Sequence, residues 1–166
     1  TFVRRVPLWG TLVALAEGET VLAGAAFFPA VDELVVAAAG AGCLWNGKPA
    51  RVSGISRLSE AVVLATDARM GSPAQLRGLD ALSSRAGLVR TWGDCYGYLL
   101  VATGRAEAMT DSVMAPWDAA ALQPIIEEAG GVFTDWSGRR TAFGGSSVAT
   151  NAALGADVRA VLGVER

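Results

Sequence analysis

The sequence predicts an α/β protein in two parts, and three observations carry that expectation. The first fifty or so residues are strand-length apolar runs separated by turn residues. Beyond Ser59, strand-like and helix-like segments alternate. At 166 residues the chain suits one domain or a compact two-lobed unit. Residues 1–58 are accordingly expected to form an antiparallel lobe and residues 59–166 an α/β lobe.

The opening Thr1-Phe2-Val3-Arg4-Arg5-Val6-Pro7 has neither an initiator Met nor a capping signal, and is expected to continue a preceding segment. Leu8 to Ala16 and Val21 to Phe28 are apolar runs joined by Glu17-Gly18-Glu19-Thr20, a hairpin signal. Pro29 stops the second run and Glu33 to Ala39 is the third. Gly40-Ala41-Gly42 and Asn46-Gly47-Lys48-Pro49 then punctuate the way to a short strand at Ala50 to Val52. Ala61 to Thr66 reads as a buried strand, and Pro73 to Ala86 as a helix with Leu76, Leu79 and Leu82 on one side. Leu88 to Thr91 is a strand, and Cys95 to Thr103 a helix that follows Asp94 and ends at Gly104. Ala106 to Thr110 is a strand. Trp117 to Ala129 reads as a single helix with Leu122, Ile125, Ile126 and Ala129 in one apolar stripe, ended by Gly130-Gly131. Val132 to Trp136 and Ser147 to Asn151 are strands, and Ala153 to Leu162 is the last helix.

Composition excludes several functions. With 52% hydrophobic and 18% charged residues the chain lies far from disordered compositions. A net charge of −2 with scattered arginines supplies no basic stripe for nucleic acid. The longest apolar run, Leu34 to Trp45, falls short of the roughly twenty residues that cross a bilayer. No signal-peptide pattern opens the chain, and two cysteines (Cys43, Cys95) are too few for a disulfide scaffold, so a reducing cytoplasm is expected. The absence of His excludes Ser-His-Asp triads, Cys-His pairs and His-containing zinc sites.

Three acids stand at element ends. Asp118, two residues after Pro116, is either an N-cap or a carboxylate able to hold a divalent cation at the positive end of a helix. Gly93-Asp94 forms a strand-to-helix corner, where the acid is again either a cap or part of a ligand site at the sheet end. Asp111 ends its strand, either solvated or converging on the other two. Glu127 and Glu128 read as solvated surface and the five Trp as packing; Cys95 has no basic neighbour to make it a nucleophile.

The segments WDAAALQPIIEEAGG, VATGRAEAMTDSVMAP and TWGDCYGYLL resemble the C-terminal signature of the inositol monophosphatase family of Mg²⁺-dependent phosphatases. TFVRRVP resembles the stretch just after that family's Asp-x-x-Asp-Gly-Thr motif, and GCLWNGKPARVS its Gly-x-x-x-Asn-Gly segment. The resemblance implies a layered α/β/α sandwich, with residues 1–58 the remainder of an N-terminal antiparallel sheet lobe. It implies Mg²⁺ as cofactor with Asp118 a metal ligand, and Gly93, Asp94 and Asp111 facing a small phosphate ester. Gly-Asp-Cys-Tyr-Gly-Tyr and Leu122 to Ile126 look most like the histidinol-phosphate phosphatases of histidine biosynthesis, whose ammonium-bearing substrate Asp94 and Asp111 could pair with. Inositol-1-phosphate and 3′-phosphoadenosine phosphate phosphatases are the catalytic alternatives, and a non-catalytic dimerisation module or inactive remnant the alternative of another class. A homodimer is implied, with neither nucleic acid nor membrane as partner. The family's Gly-Glu-Glu and Asp-x-x-Asp-Gly-Thr residues have no counterpart in this sequence, so catalytic groups are expected upstream of Thr1 and the chain alone is expected to be inactive.

Overall fold

Glu17-Gly18-Glu19-Thr20 turns the chain back on itself through a left-handed Gly18, with φ +58°. This sets β1 (Thr11–Glu17) antiparallel to β2 (Thr20–Phe28). The computed structural model describes residues 2–164. β3 (Glu33–Ala38), β4 (Gly42–Trp45) and β5 (Lys48–Pro49) extend the meander into a five-strand sheet in sequence order. The short strand expected at Ala50–Val52 is absent; its place is taken by β4 and β5, which pair Trp45 with Lys48 across a turn at Asn46-Gly47. Both turn residues have positive φ (+47° and +76°), the pattern of a tight hairpin.

The second sheet runs β7-β6-β8-β10-β9. β6 (Val62–Ala65) lies parallel to β7 (Leu88–Arg90) and to β8 (Ala108–Asp111), while β10 (Ser147–Thr150) pairs antiparallel with β8 and with β9 (Val132–Thr134). Its side chains alternate between two cores, as the two-residue period of a strand requires. Val63, Ala108 and Val148 join α1 (Pro73–Ser83) and α5 (Gly155–Leu162) on the outer face. Leu64, Met109 and Ala149 join α2 (Asp94–Ala102) and α4 (Leu122–Glu128) on the inner face, and this larger core continues into Ala26, Val35 and Cys43 of the first sheet. The second sheet with its helices is thus the expected α/β/α sandwich, and the first sheet adds a fourth layer against α4.

The helix expected over Trp117–Ala129 is two, α3 (Pro116–Ala119) and α4. Pro124 explains the break: it has no N–H to give the carbonyl of Ala120, and its ring crowds that carbonyl. The interrupted backbone presses on β2, where a Cβ on Gly24 would stand 2.1 Å from the Ala121 carbonyl oxygen. Glu127 and Glu128 are not simply solvated. Glu127 pairs with Arg140 at 2.6 Å, and Glu128 accepts the amides of Gly40 and Gly42 at 2.7 and 2.8 Å, clamping the β3–β4 turn onto α4. The Arg105–Glu33 pair at 2.6 Å ties the end of α2 to β3, with the guanidinium also stacked over Trp45.

One face of the first sheet has no covering layer among the described residues. Val13, Leu15, Phe27, Leu34 and Leu44 point from it into solvent, Val13 and Leu15 at 62% exposure. No helix among the described residues is long and apolar enough to cross a membrane.

Candidate active site

In an open sheet, a crevice forms at the carboxyl ends of neighbouring parallel strands whose continuations leave toward opposite faces. β6 and β8 are such a pair: β6 leads to α1 on the outer face, and β8 leads to α3 and α4 on the inner one. Their tips carry Thr66 and Asp111, and the turn after β7 brings Gly93-Asp94 alongside. A cleft of about 780 Å³ opens there, lined by Thr66, Asp94, Cys95, Asp111 and Asp118, with Gly10 and Leu12 closing it from the first sheet.

The corner at Gly93 depends on the absence of a side chain. A Cβ there would lie 2.4 Å from the Thr66 Cα. This close approach lets the Asp94 amide donate to the Thr66 hydroxyl at 2.9 Å. Asp94 itself adopts a left-handed conformation, φ +52°, unusual outside glycine and often found where a site imposes it. Gly93 therefore supports the site from behind, while Asp94 faces the cleft. The capping alternative does not hold for either helix acid. The N-cap of α2 is Gly93 and that of α3 is Ala115, neither with a side-chain capping bond. Asp118 is the third residue of its helix and faces the cleft with no side-chain hydrogen bond among the described residues.

Asp111 is held on three sides. The fully buried Tyr98, one helical turn beyond Asp94 on α2, donates its hydroxyl to Asp111 Oδ2 at 2.7 Å and also contacts Ser147 Oγ. Trp136 Nε1 donates to the Asp111 carbonyl at 3.1 Å. Burial pushes the Asp111 carboxyl up, and the neighbouring Asp94 charge adds to this; hydrogen bonds from Thr66 and Tyr98 oppose it without cancelling it. Burial also pushes the Cys95 thiol up to about 11, helped by Asp94 and Asp118, so it is no nucleophile at neutral pH.

The structure thus brings Asp94, Asp111 and Asp118 to one cleft, with Gly93 directly behind. Sequence reasoning missed Thr66 and Tyr98. A polar residue closing an apolar strand run was the available signal for Thr66, whereas nothing local distinguishes Tyr98 from packing. Trp117 is not packing, since it stands 78% exposed at the rim. Among the described residues no Lys or Arg lines the cleft, and its charged lining residues are all acidic. These residues do not by themselves fit a magnesium ion. Among the described residues no three His, Cys, Asp or Glu side chains are grouped to hold a metal, and Asp111 is already engaged by Tyr98.

The model of the inositol monophosphatase family matches residues 1–162. The chain belongs to that family. A histidinol-phosphatase of Chlorobaculum parvum is 42% identical over 98% of this chain and 64% of its own length. One from Mycobacterium tuberculosis is 36% identical over 92% of this chain and 61% of its own. Among solved family structures, an inositol monophosphatase from Zymomonas mobilis superposes with a TM-score of 0.92 at 24% identity, over 98% of this chain and 65% of that one, which shows the shared fold. The chain therefore spans less than two thirds of the length of these relatives.

Proposed function

We propose that this chain forms the substrate-orienting side of a phosphomonoester hydrolase acting on histidinol phosphate, a step of histidine biosynthesis. The observation that carries the reading is the pairing of Asp94 and Asp111 in one cleft that, among the described residues, no basic side chain lines. Carboxylates repel a phosphate but attract an ammonium group, so these two serve the cationic end of the substrate, where inositol has only hydroxyls. The histidinol-phosphatases among its relatives support the choice. Gly93 holds the corner that aims Asp94 into the cleft. Asp118 is proposed as the carboxylate this chain contributes to a Mg²⁺ site completed by other residues. The working form is proposed to be a cytoplasmic homodimer.

The test is binding to the chain itself. Histidinol phosphate and inositol 1-phosphate are titrated by calorimetry into the wild type and Asp94→Asn, a change that removes charge while an Asn tolerates the left-handed backbone. Histidinol phosphate should weaken about tenfold, the cost of one charge-assisted contact, and the inositol ester should be unaffected. Equal losses for both esters would overturn the assignment of Asp94 to the cationic end.

A further inference from the structure

On the outer face of the second sheet, away from the cleft, a pocket of about 530 Å³ lies between β9 and α5. It shares no lining residue with the acidic cleft. β9 and β10 pair Thr134 with Val148 and Val132 with Thr150, so Val132, Thr134 and Thr150 stand on one face beneath α5. Thr134 is 5% exposed and lines the pocket, yet its hydroxyl has no partner among the described residues; the buried Thr150 hydroxyl has none among them either. Arg159 reaches in from α5, and its buried Nη1 is also without a partner among the described residues. Gly155 makes room for this arrangement: a Cβ there would lie 3.1 Å from Thr150 Oγ1 and 3.2 Å from Arg159 Nη1. Among the described residues no carboxylate lines the pocket and Arg159 makes no ion pair.

A guanidinium does not lose its proton, so it cannot escape burial by neutralising, and a buried charged nitrogen left unpaired is costly. Thr hydroxyls beside it are donors that match the same acceptor. Val132, Ala156 and Val164 give the pocket apolar walls, room for more than a lone water. We propose that this pocket is an oxyanion-binding site, taking a small carboxylate- or phosphate-bearing molecule whose charged group pairs with Arg159 and the Thr134 hydroxyl. The bound molecule would brace α5 against the edge of the sheet.

Amide NMR spectra of the chain, titrated separately with inorganic phosphate and with acetate, test this. Saturable shifts are expected at Thr134, Gly138 and Ala156 with at least one of the two, and which one binds tells the phosphate source from the carboxylate source. Responses at Thr66 and Asp94 report the cleft and are scored apart. Arg159→Gln should weaken the pocket response tenfold or more, and Thr134→Val, which keeps the shape and the charge, severalfold. Absence of saturable shifts around the pocket with both anions would overturn the site and leave water as its filling. So would unchanged affinity in Thr134→Val together with Arg159→Gln.

Discussion

The amide of Asp94 donates to the hydroxyl of Thr66 at 2.9 Å, joining the tip of β6 to the first turn of α2. Asp94 joins Asp111 and Asp118 at one cleft because this bond and the missing side chain of Gly93 let that turn sit directly on the sheet end.

The left-handed backbone of Asp94 predicts an order of stabilities. Measured against Asp94→Asn, which removes the same charge and tolerates the left-handed backbone, Asp94→Gly should have the higher urea midpoint and Asp94→Ala should be less stable by about 1 kcal/mol. Gly93→Ala should cost more than any of these, because the backbone of Thr66 stands in the way of the new Cβ. Equilibrium urea unfolding of the four variants checks the ranking.

Asp111 predicts a stability gain on losing its charge. Its carboxyl is raised by burial first and by Asp94 second, so the folded state favours the protonated form. That contribution is complete below the ordinary carboxylate range near pH 4 and is lost as pH rises through the higher folded value. Above it, ionised Asp111 burdens the fold. Asp111→Asn should therefore raise Tm by roughly 2–4 °C at pH 7, the shift that about 1 kcal/mol produces in a chain of this length, and the gain should close toward pH 4. Differential scanning calorimetry across that range is the measurement.

The opposite sign applies at Asp135, whose side chain is 2% exposed. Burial pushes its carboxyl up, but hydrogen bonds from Ser137 and Arg139, including the Arg139 amide at 2.9 Å, outweigh this and hold it below the usual range. Its stabilisation is present above about pH 4 and lost as pH falls through the lowered value. Asp135→Asn should lose about 1–3 kcal/mol at pH 7 and almost nothing in strong acid, read by urea melts at the two pH values.

Both thiols should resist alkylation. Cys43 and Cys95 are each pushed up to about 11, by burial first and then by Glu128 and Asp94 respectively. At pH 8 only about one thiol in a thousand is then ionised. Iodoacetamide should modify the native protein at least tenfold more slowly than free cysteine, and at the rate of free cysteine in urea, followed by mass spectrometry.

Much of the architecture was legible from the residues. Apolar runs such as Val21 to Phe28 announced strands because their length and flanking turns left few alternatives. Asp94, Asp111 and Asp118 were identifiable as acids at element ends, though only the parallel pairing of β6 and β8 could bring them together. The features that escaped depended on longer-range geometry. Pro124 lies inside an otherwise periodic stripe, and its effect on Ala120 divides a helix that the apolar pattern joins. Cys43-Leu44-Trp45 is too short a run to stand out until the Asn46-Gly47 turn pairs it with Lys48-Pro49. Tyr98 gains its role from Asp111, thirteen residues away in sequence.

The bare apolar side of the first sheet governs how this polypeptide behaves in a tube. Val13, Leu15, Phe27, Leu34 and Leu44 offer a wet, greasy plane to any similar plane that drifts past, and β1 beside it is an edge strand. Clumping driven that way is not screened by electrolyte; sulfate, which is excluded from such surfaces, strengthens it. Preparations should stay clear in dilute chloride and turn cloudy as ammonium sulfate is added, and a Leu15→Lys, Leu34→Lys pair should keep them transparent.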